Sequence, residues 1–112
     1  MTHETVLGWS EIASISLESL DVPITASTDP TGTDPLFALG VYSSAAPSTS
    51  FEDGEWADSW VDADTPVVAR TPILGGAGAT LELVSGRKYD LWIKLSGGGE
   101  TPAWVVGWIR CP

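Results

Sequence analysis

The sequence predicts a single all-β domain, a β-sandwich of about seven short strands. Three observations predict it. Twelve glycines and eight prolines punctuate the 112 residues and leave almost no stretch with the apolar spacing of a helix. Between those breaks the apolar residues mostly recur with period two, as on strands that bury one face. Turn signals fall at short intervals, as they do where strands fold back on one another in packed sheets.

Residues 1–9 read as a flexible N-terminal segment and residues 10–112 as the domain. Residues 12–20 are ambiguous. Ile12 and Ile15 suit a helical face, whereas Ile15 and Leu17 suit a strand face, and the Ser content with the β-branched run that follows favours a strand. Residues 22–26 continue it past Pro23, a residue tolerated on a sheet edge or at a bulge. The Asp, Pro, Thr and Gly residues of 28–35 form a turn.

Residues 36–43 alternate as a core strand, with Phe37, Leu39 and Val41 on one side and Ala38, Gly40 and Tyr42 on the other. Residues 45–54 read as a loop, and 55–63 carry Trp56 and Trp60 among acids. Residues 67–74 form the next strand, ended by Gly75-Gly76-Ala77-Gly78. A short strand over 80–84 and a turn at Ser85-Gly86 lead into residues 87–95. There Tyr89, Leu91, Ile93 and Leu95 face inward, while Lys88, Asp90, Trp92 and Lys94 face outward. After a Gly-rich hairpin loop, residues 104–110 return as the last strand, with Trp104 and Trp108 on one face.

Apolar residues make up 43% of the chain and charged ones 18%, the balance of a packed globule. A formal charge of −10 opposes nucleic acid and anionic membrane surfaces, both of which attract clustered Lys and Arg. The five cations, Arg70, Arg87, Lys88, Lys94 and Arg110, are scattered along the sequence. No apolar run is long enough to span a bilayer, and the N-terminus has no secretion signal, so the expected site of synthesis and assembly is a cytoplasm. The single cysteine, Cys111, has no intrachain partner and sits where fraying is the norm.

Catalysis is not expected, and neither is a cofactor. His3 is the only histidine and lies in the terminal segment, which removes His-dependent triads and His-rich metal sites. Gly75-Gly76-Ala77-Gly78 is followed by neither Lys-Ser nor Lys-Thr and opens no helix, so it reads as a turn and not a phosphate loop. The acids Glu52, Asp53, Glu55, Asp58, Asp62 and Asp64 suggest calcium, but they lack the alternating Asp ladder of a ligand loop and read as a solvated face.

The most specific motif is Leu83-x-x-Gly86-x-x-Tyr89-x-Leu91-x-Ile93. It resembles the tyrosine corner of immunoglobulin-like and fibronectin type III sandwiches, in which a Tyr hydroxyl bonds to backbone a few residues upstream. Gly86 supplies the tight turn, the Tyr89 ring enters the core, and Leu91 and Ile93 continue the buried face.

A wider likeness spans most of the chain. Leu20-Asp21-Val22-Pro23-Ile24-Thr25-Ala26, the Asp29-Pro30 turn, Trp56-Ala57-Asp58-Ser59-Trp60 and Gly86-x-x-Tyr89-Asp90-Leu91-Trp92-Ile93-Lys94 are similar to small immunoglobulin-like virion proteins of tailed phages of actinobacteria. That resemblance implies a structural protein that decorates the capsid by docking on a repeating head lattice, in many copies per particle. A head-to-tail connector or tail component is the alternative position. The partners implied are capsid or head-tail proteins, and assembly would take place in the host cytoplasm.

Six tryptophans are many for this length, and tryptophan is favoured both in interface hot spots and in sugar-stacking platforms. Trp56, Trp60 and Trp92 are the candidate partner-binding residues. A carbohydrate-binding module using the same side chains is the rival from a different class.

Overall fold

The computed structural model describes residues 7–24, 32–43, 46–56, 67–97 and 101–112. These residues form eleven strands in three sheets. The largest sheet has the order β1-β11-β10-β4-β5, built from β1 (Trp9–Glu11), β4 (Asp34–Val41), β5 (Glu52–Asp53), β10 (Lys88–Ser96) and β11 (Ala103–Arg110). A second, β3-β7-β6, comprises β3 (Asp21–Ile24), β6 (Glu55–Trp56) and β7 (Val67–Arg70). The third, β2-β8-β9, comprises β2 (Leu17–Glu18), β8 (Leu74–Gly75) and β9 (Leu81–Glu82).

The strand count exceeds the expected seven because local chemistry cuts long strands into pieces. Residues 67–74 split into β7 and β8 around Thr71-Pro72-Ile73, where Pro72 has no N–H to give a ladder. The N-terminal region departs furthest from expectation. Of residues 12–20 only Leu17–Glu18 is strand, because the chain turns through Ser14 and Ile15 with Ser16 N–H bonded to the Ala13 carbonyl. Ile15 is left 93% exposed, while Ile12 goes into the core. Pro23 lies on an edge strand as expected, since β3 pairs only with β7.

One apolar cluster joins all three sheets. The large sheet contributes Phe37, Leu39, Leu91, Ile93, Val106 and Ile109, and the two small sheets contribute Val22, Ile24, Ala69, Leu74 and Leu81. Alternation puts Tyr89, Leu91, Ile93 and Leu95 inward, and all four are buried. Tyr89 also accepts the Val84 N–H on its hydroxyl at 2.8 Å, a bond of the kind that the resemblance to a tyrosine corner implies.

Both ends of the described chain are tied into the large sheet. Leu7 N–H donates to the Val106 carbonyl at 2.8 Å, Gly8 accepts from the Trp108 N–H, and β1 runs parallel to β11, so Leu7, Gly8 and Trp9 are bonded to the large sheet. Gly107 makes this possible, because a Cβ there would collide with Leu7. Cys111 is a core residue rather than part of a frayed end: it is buried, its N–H bonds to the Arg87 carbonyl, and its carbonyl accepts from Gly86.

Candidate functional site

The pairing of β10 with β11 shifts register between Leu91 and Trp92, where Gly107 faces Leu91 but Val105 faces Trp92. The extra residue, Val106, makes a β-bulge, and a bulge reverses the side-chain parity of everything beyond it. Trp104 therefore pairs with Ile93 and packs against the core, whereas Trp108 pairs with Asp90 and lies on the opposite face. The expectation that Trp104 and Trp108 share a face fails for this reason.

Trp108 is the floor of an aromatic cluster on the outer face of the large sheet. Trp9, its register partner on β1, stacks on it with ring centroids 5.6 Å apart and planes 26° apart. Tyr42, just past the end of β4, meets Trp9 at 5.1 Å with its ring tilted by 49°. Trp9 is 48% exposed and Tyr42 41%. Large aromatics held together yet open to water are the usual composition of a recognition surface.

The neighbouring backbone fixes Tyr42. Its N–H bonds to the Lys88 carbonyl at 3.3 Å. The next residue, Ser43, sits at φ 63°, a left-handed conformation that costs a non-glycine residue free energy. Its N–H donates to Asp90 Oδ1 at 3.3 Å. Asp90, expected to face solvent, is only 3% exposed, and this backbone donor helps compensate the burial of its carboxylate.

Cations frame the cluster. Lys88 Nζ lies 5.8 Å from the Trp9 ring centroid and 5.9 Å from that of Tyr42, within reach of both π faces. Arg110 Nη1 is 3.6 Å from Glu11 Oε1 beside them. Trp9, Glu11, Lys88 and Arg110 line a hollow of about 200 Å³. On the other side of Lys88, Val41, Tyr42, Gly86, Arg87 and Tyr89 help line a second, of about 410 Å³.

Of the three tryptophans singled out from sequence, the structure describes Trp56 and Trp92. Trp56 is partly buried: its ring packs against the core and its indole N–H donates to the Thr33 carbonyl at 2.9 Å. Trp92 is on the outer face of β10, where its indole lies over Gly40 near Ala46 and Pro47. Its Nε1 is shielded from solvent and has no hydrogen-bond partner among the described residues. Trp60 lies outside the described residues, as do Asp58, Asp62 and Asp64 of the acidic stretch. Gly86 lies in the turn at φ 85°, and Tyr89, Leu91 and Ile93 are buried.

Sequence reasoning missed Trp9 and Tyr42 as site residues. Tyr42 was visible as an outward position, but Trp9 fell within a segment read as flexible. The usable signal was a large aromatic following Val6 and Leu7, an apolar group that is poorly explained unless that segment is docked. Among the described residues no group of three or more His, Cys, Asp or Glu is placed to hold a metal ion, and no helix is long and apolar enough to cross a membrane. No family model, curated protein or solved structure matches the chain.

Proposed function

We propose that this chain is a non-enzymatic virion structural protein of a tailed phage, an immunoglobulin-like or fibronectin type III-like sandwich that decorates the capsid by docking on a repeating head lattice. The fold part of the reading is supported by one apolar core shared by the five-stranded sheet and the two three-stranded sheets. The Tyr89–Val84 hydrogen bond supports it too. The virion part is supported by the resemblance of the motifs described above. A head-to-tail connector or tail component remains the alternative position on the particle.

The observation that carries a docking role is the half-exposed Trp9, stacked on Trp108 and met by the half-exposed Tyr42. Such a cluster has little entropy left to lose on binding and much apolar area to bury. It suits a protein partner better than a sugar. A sugar platform presents aromatic faces in one plane, but here one face of Trp9 stacks on Trp108, and Tyr42 is tilted by 49°.

Mass spectrometry of purified particles, with copy number counted against the major capsid protein, tests the reading. The expected result is many copies per particle, with incorporation lost in the double variant Trp9→Ala, Tyr42→Ala. Absence of the wild-type chain from particles would sink the proposal, and full incorporation of the folded double variant would move docking to another surface.

A further inference from the structure

The sequence scatters its five cations, but the fold gathers most of them. Lys88, Lys94 and Arg110 project from strands of the large sheet, and Arg87 immediately precedes β10. Arg70 alone is elsewhere, on β7, engaged with Asp21 and Glu55. On a chain with a net charge of −10, three of these cations, Arg87, Lys88 and Arg110, stand around the exposed Trp9–Tyr42 pair.

Their countercharges are few. Glu11 faces Arg110 at 3.6 Å, and Asp90 is buried and bonded to Ser43. Among the described residues no carboxylate forms an ion pair with Arg87 or Lys88. Charges separated by more than a Debye length, roughly 8 Å at physiological salt, hardly feel one another. A partner arriving at this face therefore meets the local cations and aromatics more strongly than the acidity of the molecule as a whole.

We propose that the Trp9–Tyr42 face recognises an acidic segment of a partner protein. An apolar side chain of the partner lies on the two aromatic rings, and its carboxylates reach Arg87 and Lys88. This specifies the partner chemistry of the docking face proposed above, and rests on that reading only for the location of the contact. Charge complementarity favours this partner: Arg87 and Lys88, with no ion-paired carboxylate among the described residues, stand at the rim of an aromatic patch, where an acidic protein surface would neutralise them.

The test is a titration of the isotope-labelled protein, followed by its amide and indole signals. The probes are a short Asp/Glu peptide with one central Leu, its Asn/Gln counterpart, its Lys counterpart and a neutral glucan oligosaccharide. The acidic peptide is expected to shift the Trp9 indole and the Tyr42 and Lys88 amides, binding about tenfold or more tightly than the Asn/Gln peptide. That preference should fade as salt is raised to roughly 0.5 M. The variant Arg87→Glu, Lys88→Glu, with the rest of its spectrum unchanged, should instead select the Lys peptide.

Equal binding of charged and neutral peptides, or glucan shifts at Trp9, would overturn the proposal. The two readings also fail separately. If particles require Trp9 and Tyr42 but accept the charge-reversed variant like wild type, the docking face stands and the acidic partner falls. If the acidic peptide is preferred but no particle contains the chain, the acidic site stands and the virion role falls.

Discussion

The hydroxyl of Tyr89 accepts the backbone N–H of Val84 at 2.8 Å, across the turn that Gly86 makes at φ 85°. The ring enters the core, so the residue ties the Ser85-Gly86 turn to the start of β10. Tyr89→Phe keeps the packing and leaves the Val84 N–H without its acceptor, at an expected cost of about 1–2 kcal/mol. Leu91→Ala, at a position with no exposure, should cost more, about 2–5 kcal/mol, through the cavity it opens. Urea melts of both variants check this. Near-zero effects in both would mean that β10 does not face the core as described.

Gly75 and Gly76 are where β8 passes against residues 14–16. Gly75 has φ 142°, and a Cβ on it would run into the Ser16 carbonyl oxygen, while one on Gly76 would run into that of Ser14. Both obstacles are backbone and cannot swing aside. Gly75→Ala is therefore expected to destabilise by about 2–4 kcal/mol. At Gly32 none of the described residues lies within 4 Å of the added carbon, and Gly32→Ala should stay within about 0.5 kcal/mol of wild type. Comparable denaturation midpoints for the two variants would refute this account of the Gly-rich turn.

Arg70 Nε donates to Asp21 Oδ1 at 2.8 Å across the β3–β7 pair. That hydrogen bond holds the Asp21 carboxyl below its ordinary value; slight burial works against the shift and the Arg70 charge works with it. A carboxyl lowered in the folded state contributes stability above its unfolded pKa, about 3.9, and loses it as pH falls through the folded value. Both side chains are about half exposed, so the pair should contribute no more than about 1 kcal/mol, and less in high salt. The stability gap between wild type and Asp21→Asn should accordingly be present at neutral pH and close in acid below that folded value. A gap that widens in acid would reverse the assignment.

How much of this was legible in the sequence depends on the range of the interaction. The buried alternation of β10 and the Tyr89 turn were readable because period and turn chemistry act within a few residues. The face shared by Trp9, Tyr42 and Trp108 was not, because it brings together residues about a hundred positions apart in the chain and depends on the bulge at Val106. Residues 104–109 are apolar on both faces, which hides the parity break of the inserted residue, yet it sends Trp108 outward while Trp104 stays with the core. Asp90 illustrates the same limit. Its outward position on the strand was correct, but its burial depends on what covers that face, which strand period does not report.

The roles of the tryptophans provide the sharpest remaining test, because Trp56 and Trp9 should respond oppositely. The Trp56 indole N–H is taken by the Thr33 carbonyl at 2.9 Å and the ring packs against the core. Truncating it to Ala removes packing and that hydrogen bond, for an expected loss of about 2–4 kcal/mol. Trp9, half exposed, contributes a stacked contact with Trp108 and a distant cation contact with Lys88. Those are worth together about 1–2 kcal/mol at most. Thermal melts should therefore place Trp56→Ala well below Trp9→Ala, and the coupled indole signal in circular dichroism should vanish only in Trp9→Ala, since only that change breaks the stack with Trp108. If Trp56→Ala melts like wild type, its ring is free of the core and returns to the candidate partner surface. If Trp9→Ala unfolds the domain, the aromatic face is part of the scaffold, and the docking role assigned to it fails.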